Sequence, residues 1–352
     1  MRIAWVYTTG RPAGWVDRAF EGAALGGSEA SMILYAQEFA RLGHEVTIFT
    51  PSMARTRTLG GVTWRDFWGI HGHEFDVAIA LRFPDALTAV LAPVRVVYCC
   101  DPEVPKLPDF YRTGNLQLVV TISEHQKDRF QQEHPIPEEL YMVSNAGITY
   151  SDYVGKGIDK VRGRCIYCSV PARGLYSLAE LWPAIRKKVP WATLHITGGF
   201  ELWGMDIPIA KQPALEKIIG LEGVTYLGVL PREELIREQL ESEVLLLPGA
   251  VDSPEMCCIS AMECAAARNL LVVGDVGALP ERVWARGSGK AVAFENGKPH
   301  APTFVRCAEE MLTYQPSARA ARALYASESV RKYDYSVLAP QWITRFEEEL
   351  GA

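Results

Sequence analysis

The sequence predicts an α/β protein made of two doubly wound, mostly parallel sheet domains, and three observations carry that prediction. Short apolar runs of strand length alternate with segments of helical periodicity through the first half of the chain. The same alternation restarts at Arg164-Cys-Ile-Tyr-Cys-Ser, after a polar, glycine-containing stretch. At 352 residues the chain is also longer than one typical core organises.

The elements follow in order. Arg2 to Tyr7 is a first strand, its apolar run too short for a signal peptide. Gly27 to Leu42 reads as a helix ending at Gly43, and Glu45 to Phe49 as a second strand. Phe75 to Leu81, Val94 to Cys99 and Leu118 to Ile122 are further apolar strands, with a helix over Ser123 to Gln132. The stretch Thr149 to Lys160 reads as a link between domains. In the second half, Leu175 to Lys188 is amphipathic, with Leu178, Leu181, Trp182 and Ile185 at helical spacing. Thr193 to Thr197 is a strand closed by Gly198-Gly199, and Gly223 to Leu227 another. Leu270 to Val273 and Lys290 to Phe294 complete the strands, and the chain turns helical from Pro302 onward. The expected division is residues 1–155, residues 156–325 and a terminal helix over 326–352 packing back on the first domain, with a ligand cleft between the two domains.

Composition excludes several classes. With 48% hydrophobic and 22% charged residues, this is an ordinary soluble globular chain. A net charge of -6 without a basic stripe argues against a nucleic-acid partner. No stretch is long enough to cross a bilayer, which leaves peripheral membrane contact open. The eight cysteines mostly sit in apolar surroundings, so reduced core thiols in a cytoplasmic protein are expected. Cys165 and Cys168 form a Cys-x-x-Cys, but an odd spacing on a strand puts them on opposite faces, and no second pair follows at zinc spacing.

The residues that carry chemistry centre on Glu255 and Glu263, with seven residues between them. Val244 to Leu247, closed by Pro248 and Gly249, reads as a buried strand. Cys257 to Ala267 reads as a helix that is apolar almost all round, broken only by Ser260 and Glu263 on one face. A carboxylate on so apolar a helix must find partners, because burying it unpaired is costly. If fully helical, eight positions span roughly 12 Å, enough for one carboxylate at each end of an extended diphosphate ligand. The amides of Met256, Cys257 and Cys258 would open the helix toward an anion.

Three further segments have two readings each. Leu25-Gly-Gly-Ser-Glu-Ala is either a phosphate-approaching helix start at Gly26 and Gly27, or a glycine loop before a helix capped by Ser28. Its spacing is not that of a dinucleotide fingerprint, which disfavours a dehydrogenase. Arg173, in Val170-Pro-Ala-Arg-Gly-Leu, either forks onto a diphosphate or is a solvated loop arginine. Cys99-Cys100-Asp101-Pro102 closes a strand, and either faces the cleft or joins a core cysteine to a turn-starting aspartate. No Asp-x-Asp occurs anywhere, so a carboxylate-held divalent metal is not expected.

Taken in order, these pieces resemble the retaining glycosyltransferases of family 4, which have the GT-B fold of two Rossmann-like domains facing a central cleft. The resemblance runs through Gly26-Gly-Ser-Glu, Leu42-Gly-His-Glu-Val, Val120-Thr-Ile-Ser-Glu, Asn145-Ala-Gly-Ile and Arg173-Gly-Leu. It continues through Leu194-His-Ile-Thr-Gly-Gly and is strongest in Pro254-Glu, the second glutamate Glu263, and Gly277-Ala-Leu-Pro-Glu281. It implies transfer of a sugar from a nucleotide diphosphate donor to an acceptor hydroxyl with retention and without metal or other cofactor. Glu255 would hold the donor sugar, Glu263 the ribose and Arg173 the diphosphate. The backbone near Gly27 and at Met256 to Cys258 would complete the phosphate cradle, and backbone near Gly198, Gly199 and Leu227 to Leu230 would meet a UDP- or GDP-type base. The acceptor, a glycan, lipid-linked or small molecule, would bind the first domain, and Cys100 and Asp101 would stand at a catalytic position where relatives contact the sugar 6-hydroxyl. Departures are Cys168 where relatives carry a first basic residue, Cys100 where they carry histidine, Arg268-Asn269-Leu270 for Gly-x-Pro, and Asn145-Ala-Gly for Asn-Gly. They support an alternative: a GT-B domain that binds a nucleotide or glycan without turnover.

Overall fold

The computed structural model describes residues 1–8, 14–51, 53–283 and 287–351, which form two compact units. Unit 1 comprises Met1–Trp15, Leu25–Gly147 and Tyr333–Ala352; unit 2 comprises Val16–Ala24 and Ile148–Lys332.

In chain order, unit 1 begins with β1 (Arg2–Val6). Helix α1 (Trp15–Glu21) comes next in the chain but belongs to unit 2 from Val16 on; unit 1 resumes with α2 (Gly27–Arg41), β2 (Glu45–Thr50), β3 (Arg57–Leu59), β4 (Val62–Asp66), β5 (Val77–Leu81) and β6 (Val94–Cys99). Then come α3 (Leu107–Arg112), β7 (Leu118–Thr121), α4 (Glu124–Glu133) and β8 (Tyr141–Val143). The sheet order is β3-β4-β2-β1-β5-β6-β7-β8, parallel except for the β3/β4 hairpin. The strands are the continuous apolar runs seen in sequence because both faces of a parallel sheet are covered. Helix α4 starts one residue after Ser123, whose Oγ accepts from the Gln126 amide at 3.0 Å. The stretch expected as a loop from Thr8 to Leu25 contains α1; its residues 9–13 lie outside the described residues. The β3/β4 hairpin also departs from expectation, its strands being short and only partly buried.

Unit 2 runs β9 (Arg164–Cys168), α5 (Leu175–Lys188), β10 (Thr193–Thr197), α6 (Pro213–Ile219), β11 (Val224–Gly228), α7 (Arg232–Glu241) and β12 (Val244–Leu247). It continues with α8 (Ile259–Ala266), β13 (Leu270–Gly274), β14 (Gly289–Val292), α9 (Ala301–Thr313) and α10 (Pro316–Val330). The six strands of its main sheet are all parallel, in the order β11-β10-β9-β12-β13-β14, and Phe294–Glu295 pairs antiparallel with Lys298–Pro299 in a separate two-stranded sheet. From β9 the chain winds outward to β11, then returns to β12 on the other side. The strand order therefore reverses between β9 and β12, where open sheets of this kind bind ligands.

The stretch read as a link is anchored in unit 2. Tyr153 is buried and donates from its hydroxyl to Gln239 Oε1 at 2.8 Å. The Lys160 ammonium reaches the carbonyls of Ser242 and Ala267 at 2.5 and 2.7 Å, where α7 and α8 end. Those helix ends carry unsatisfied carbonyls and the negative pole of the dipole, so a lysine there is favoured.

Helix α11 (Tyr335–Gly351) belongs to unit 1, where Trp342 and Phe346 pack on Phe39 of α2. The face α2 buries holds Met32, Tyr35, Ala36 and Phe39, spaced as one helical stripe. Trp342 Nε1 donates to Ser144 Oγ at 2.6 Å, satisfying a buried donor. Asn145-Ala-Gly lies beside this cluster: Tyr35 donates to the Asn145 carbonyl at 2.6 Å, and Ser31 to that of Ala146 at 2.7 Å. A Cβ on Gly147, at φ +78°, would lie 2.3 Å from the Tyr335 ring. That motif is structural.

Among the described residues no helix is long and apolar enough to cross a membrane. All eight cysteines are free and buried, including Cys165 and Cys168 on β9.

Candidate functional site

In unit 2, the loops that leave β9 and β12 flank the strand reversal and touch backbone to backbone. Gly174, at φ +99°, begins α5; a Cβ there would lie 2.3 Å from the Gly249 carbonyl oxygen. Only glycine accepts both that conformation and that approach. One residue earlier, Arg173 Nη1 donates to the carbonyl of Ser253 at 2.7 Å and also to that of Pro254. Its Nε lies 3.7 Å from Glu255 Oε1, and its guanidinium stands over the Trp203 ring. Arg173 is thus neither solvated nor remote: it clamps the loop that presents Glu255.

Glu255 is held from two more sides. Its carboxylate accepts from Ser169 Oγ at 3.2 Å, and its carbonyl accepts from the Ala278 amide at 2.8 Å. A Cβ on Gly277 would meet that same carbonyl oxygen at 2.4 Å. The Gly277-Ala-Leu-Pro motif therefore works by close backbone approach to Glu255. Gly198, at φ +106°, backs onto Ser169 in the same way, with a Cβ falling 2.6 Å from its carbonyl oxygen. Gly199 is extended and precedes a short turn over Phe200–Trp203.

The helix after Glu255 is shorter than expected. It spans Ile259–Ala266, and Cys258 precedes it in the left-handed region at φ 59°. Met256, Cys257 and Cys258 are buried in the turn leading into the helix. Their amides do not open it, which corrects the expectation of a helix from Cys257. The left-handed Cys258 redirects the chain just before the first helical turn. Burial pushes its thiol well up, with Glu255 adding to the effect, so it stays a neutral core thiol.

Glu263 finds the partners its burial demands on α7. Arg232 Nη1 reaches its Oε1 at 2.5 Å, and Gln239 Nε2 donates to its Oε2 at 3.1 Å. Arg232 Nη2 also donates to the Tyr153 hydroxyl at 3.0 Å and pairs with Asp152 at 3.4 Å. Burial alone would lower the Arg232 guanidinium; Glu263, Tyr153 and Asp152 overcome it and hold it charged. Sequence reasoning missed Arg232 and Gln239. The one local signal was a cation in the first turn of α7, where the helix dipole disfavours it.

Unit 1 carries its own polar cluster at the C-terminal ends of β1, β5 and β6. Arg82, a non-glycine residue at φ 70°, pairs with Glu29 Oε1 at 2.7 Å and with Asp101 Oδ2 at 2.7 Å. Tyr7 donates to Glu29 Oε1 at 3.0 Å, and Gln126 donates to the Asp101 carbonyl at 2.7 Å. Burial would lower the Arg82 guanidinium, but the carboxylates of Glu29 and Asp101 prevail. Cys100 is buried, its thiol pushed up by that burial and hydrogen-bonded to Ser28. Ser28 therefore does not cap α2. Gly26 stands at the N-cap without a side-chain cap, and Gly27 opens the helix. Arg82, Tyr7 and Gln126 are the members of this cluster that sequence did not single out.

The fold defines the class first: the two doubly wound α/β units, taken with the solved structures that superpose on the chain, are those of the GT-B fold. Solved structures bear this out over nearly the whole length. A sucrose-phosphate synthase from Thermosynechococcus elongatus superposes with a TM-score of 0.75 at 13% identity, covering 99% of this chain and 100% of its own. A glycosyltransferase from Rickettsia africae gives 0.73 at 12% identity, covering 99% of each chain. Anabaena HepE in complex with UDP and glucose gives 0.68 at 15% identity, covering 99% of this chain and 100% of its own. At such identities the likeness establishes the fold alone. No family model matches the chain, and no curated protein matches it in sequence.

Proposed function

We propose that this protein is a retaining, metal-independent glycosyltransferase of family 4 that transfers a sugar from a nucleoside diphosphate donor to an acceptor hydroxyl. The observation that carries the proposal is the convergence of Arg173, Glu255 and the turn into α8 where the strand order of unit 2 reverses. The GT-B neighbours supply the class of chemistry, and the one solved with UDP and glucose makes UDP the first nucleotide to try.

In this reading Glu255 holds hydroxyls of the donor sugar, its carboxylate steadied by Ser169 and Arg173. Arg173 faces the diphosphate as negative charge builds on it, which is electrostatic stabilisation of a leaving group. The bond from the anomeric carbon to the diphosphate oxygen breaks as the bond to the acceptor oxygen forms on the same face. The acceptor proton passes to the departing phosphate oxygen. Glu263 takes the ribose hydroxyls, the backbone at Gly198 and Gly199 approaches the base, and the α2 start at Gly26 and Gly27 favours phosphate. Unit 1 receives the acceptor, and Asp101, paired with Arg82, is its catalytic carboxylate beside the buried Cys100.

The test pairs binding with turnover. UDP, GDP and ADP are screened by thermal shift, since a tight ligand raises the stability of the folded state. Release of sugar and nucleotide from the matching donor is then followed with and without chelator. Glu255→Gln should lower kcat by about a hundredfold, on the scale of losing one oriented contact in the transition state. Glu263→Ala should weaken nucleotide binding by about tenfold or more. Wild-type rates in both variants would rule the proposal out. Tight nucleotide binding without any Glu255-dependent sugar release would make the protein a binding module.

A further inference from the structure

Among the described residues, the side-chain hydrogen bonds to Glu263 come from two residues of the same helix. Arg232 and Gln239 lie two turns apart on one face of α7, and the long arginine side chain brings its head to the same carboxylate. Each takes one oxygen. A carboxylate offers about four acceptor positions, so each oxygen of Glu263 keeps one that α7 does not take. Two acceptor positions on neighbouring oxygens match the two vicinal hydroxyls of a ribose. A buried ion pair is a poor device for stability, since desolvation cancels much of its attraction. Arg232 also sits in the first turn of α7, where the dipole works against a cation. Its side chain keeps 39% exposure, against 8% for Glu263, so it forms the rim of this carboxylate and not its floor. Tyr153 and Asp152 fix its second nitrogen, which leaves the guanidinium one orientation.

We propose that Arg232 is a positioning residue that turns the Glu263 carboxylate toward the ribose hydroxyls of the donor nucleotide. The inference rests on the reading that Glu263 receives the ribose. Without Arg232 the carboxylate keeps only the Gln239 contact and rotates, so recognition of the two hydroxyls is lost while the diphosphate contacts, made elsewhere, persist.

Calorimetric titration with UDP, GDP and ADP, their 2′,3′-dideoxy counterparts and inorganic pyrophosphate tests this. Wild type should prefer the best ribonucleotide over its dideoxy form by about ten- to hundredfold, the scale of hydrogen bonds to a charged group. In Arg232→Ala that preference should collapse to within about threefold, while pyrophosphate binding changes by less than that. Arg232→Lys, which keeps the charge but not the fork, should fall between; it is read on the same panel if the alanine variant does not fold. An Arg232→Ala protein that retains the full ribose preference overturns the inference and leaves the Glu263 assignment standing. A wild type indifferent to the two hydroxyls overturns both.

Discussion

Gly174→Ala is the substitution that most directly tests how the site in unit 2 is built. Gly174 sits at φ +99°, and an added Cβ would fall 2.3 Å from the Gly249 oxygen and 2.6 Å from its nitrogen. Both are backbone atoms, which cannot rotate away. The left-handed conformation costs a non-glycine residue about 1–2 kcal/mol. Forcing the two loops apart adds about 1–3 kcal/mol, as for other overpacked sites. The sum is about 2–5 kcal/mol, which at about 2–4 °C per kcal/mol lowers Tm by about 4–20 °C. Gly228→Ala is the control. Gly228 has φ +69° with nothing within 4 Å of a built Cβ, so only the conformational part applies, about 2–8 °C. Scanning calorimetry reads both variants, and nucleotide titration reads the consequence for Arg173, the neighbour of Gly174. Equal losses in the two variants would refute the close contact between the β9 and β12 loops, and with it the account of how Arg173 reaches Glu255.

Two more predictions follow from buried groups. Burial lowers the Lys160 ammonium to about 7, with Arg268 and Arg319 acting the same way and Glu243 opposing. The unfolded lysine holds its proton to about 10.4, so between about 7 and 10 the unfolded state binds more protons, and stability should rise with pH across that window. In urea melts at several pH values, Lys160→Met should lack this rise, and identical slopes in both proteins would contradict the burial of Lys160. The eight thiols are all buried, and burial pushes up those of Cys99, Cys258 and Cys264. Ellman's reagent should therefore label the native protein only at the rate at which it opens, and rapid labelling of any thiol would show that the core is not closed.

Much of the fold was legible because parallel strands are buried on both faces. Val77–Leu81 and Val94–Cys99 stand out as uninterrupted or nearly uninterrupted apolar runs, and α5 as a clean helical stripe over Leu175–Lys188. The β3/β4 hairpin escaped because its strands are short and its burial mixed, leaving no period to read. Helix α1 escaped because seven residues in a glycine-rich stretch give too little periodic signal. The start of α8 was misplaced because apolar Met256 to Cys258 extend the helical composition, whereas the left-handed backbone at Cys258 begins the helix later.

By itself the sequence determined the class of architecture, the carboxylates of Glu255 and Glu263 on either side of an apolar segment, and the glycines where backbone must pass backbone. These are local properties: composition, periodicity and the absence of a side chain. Only the tertiary structure decided which groups those carboxylates meet. Arg173 clamps the Glu255 loop from 80 residues away in sequence, and Arg232 reaches Glu263 across 31. Arg82 joins Glu29 to Asp101 from a strand end between them. A buried charge must be paired, but the partner comes from whichever strand or helix the topology brings alongside, and a residue's own neighbourhood in the chain holds no record of that.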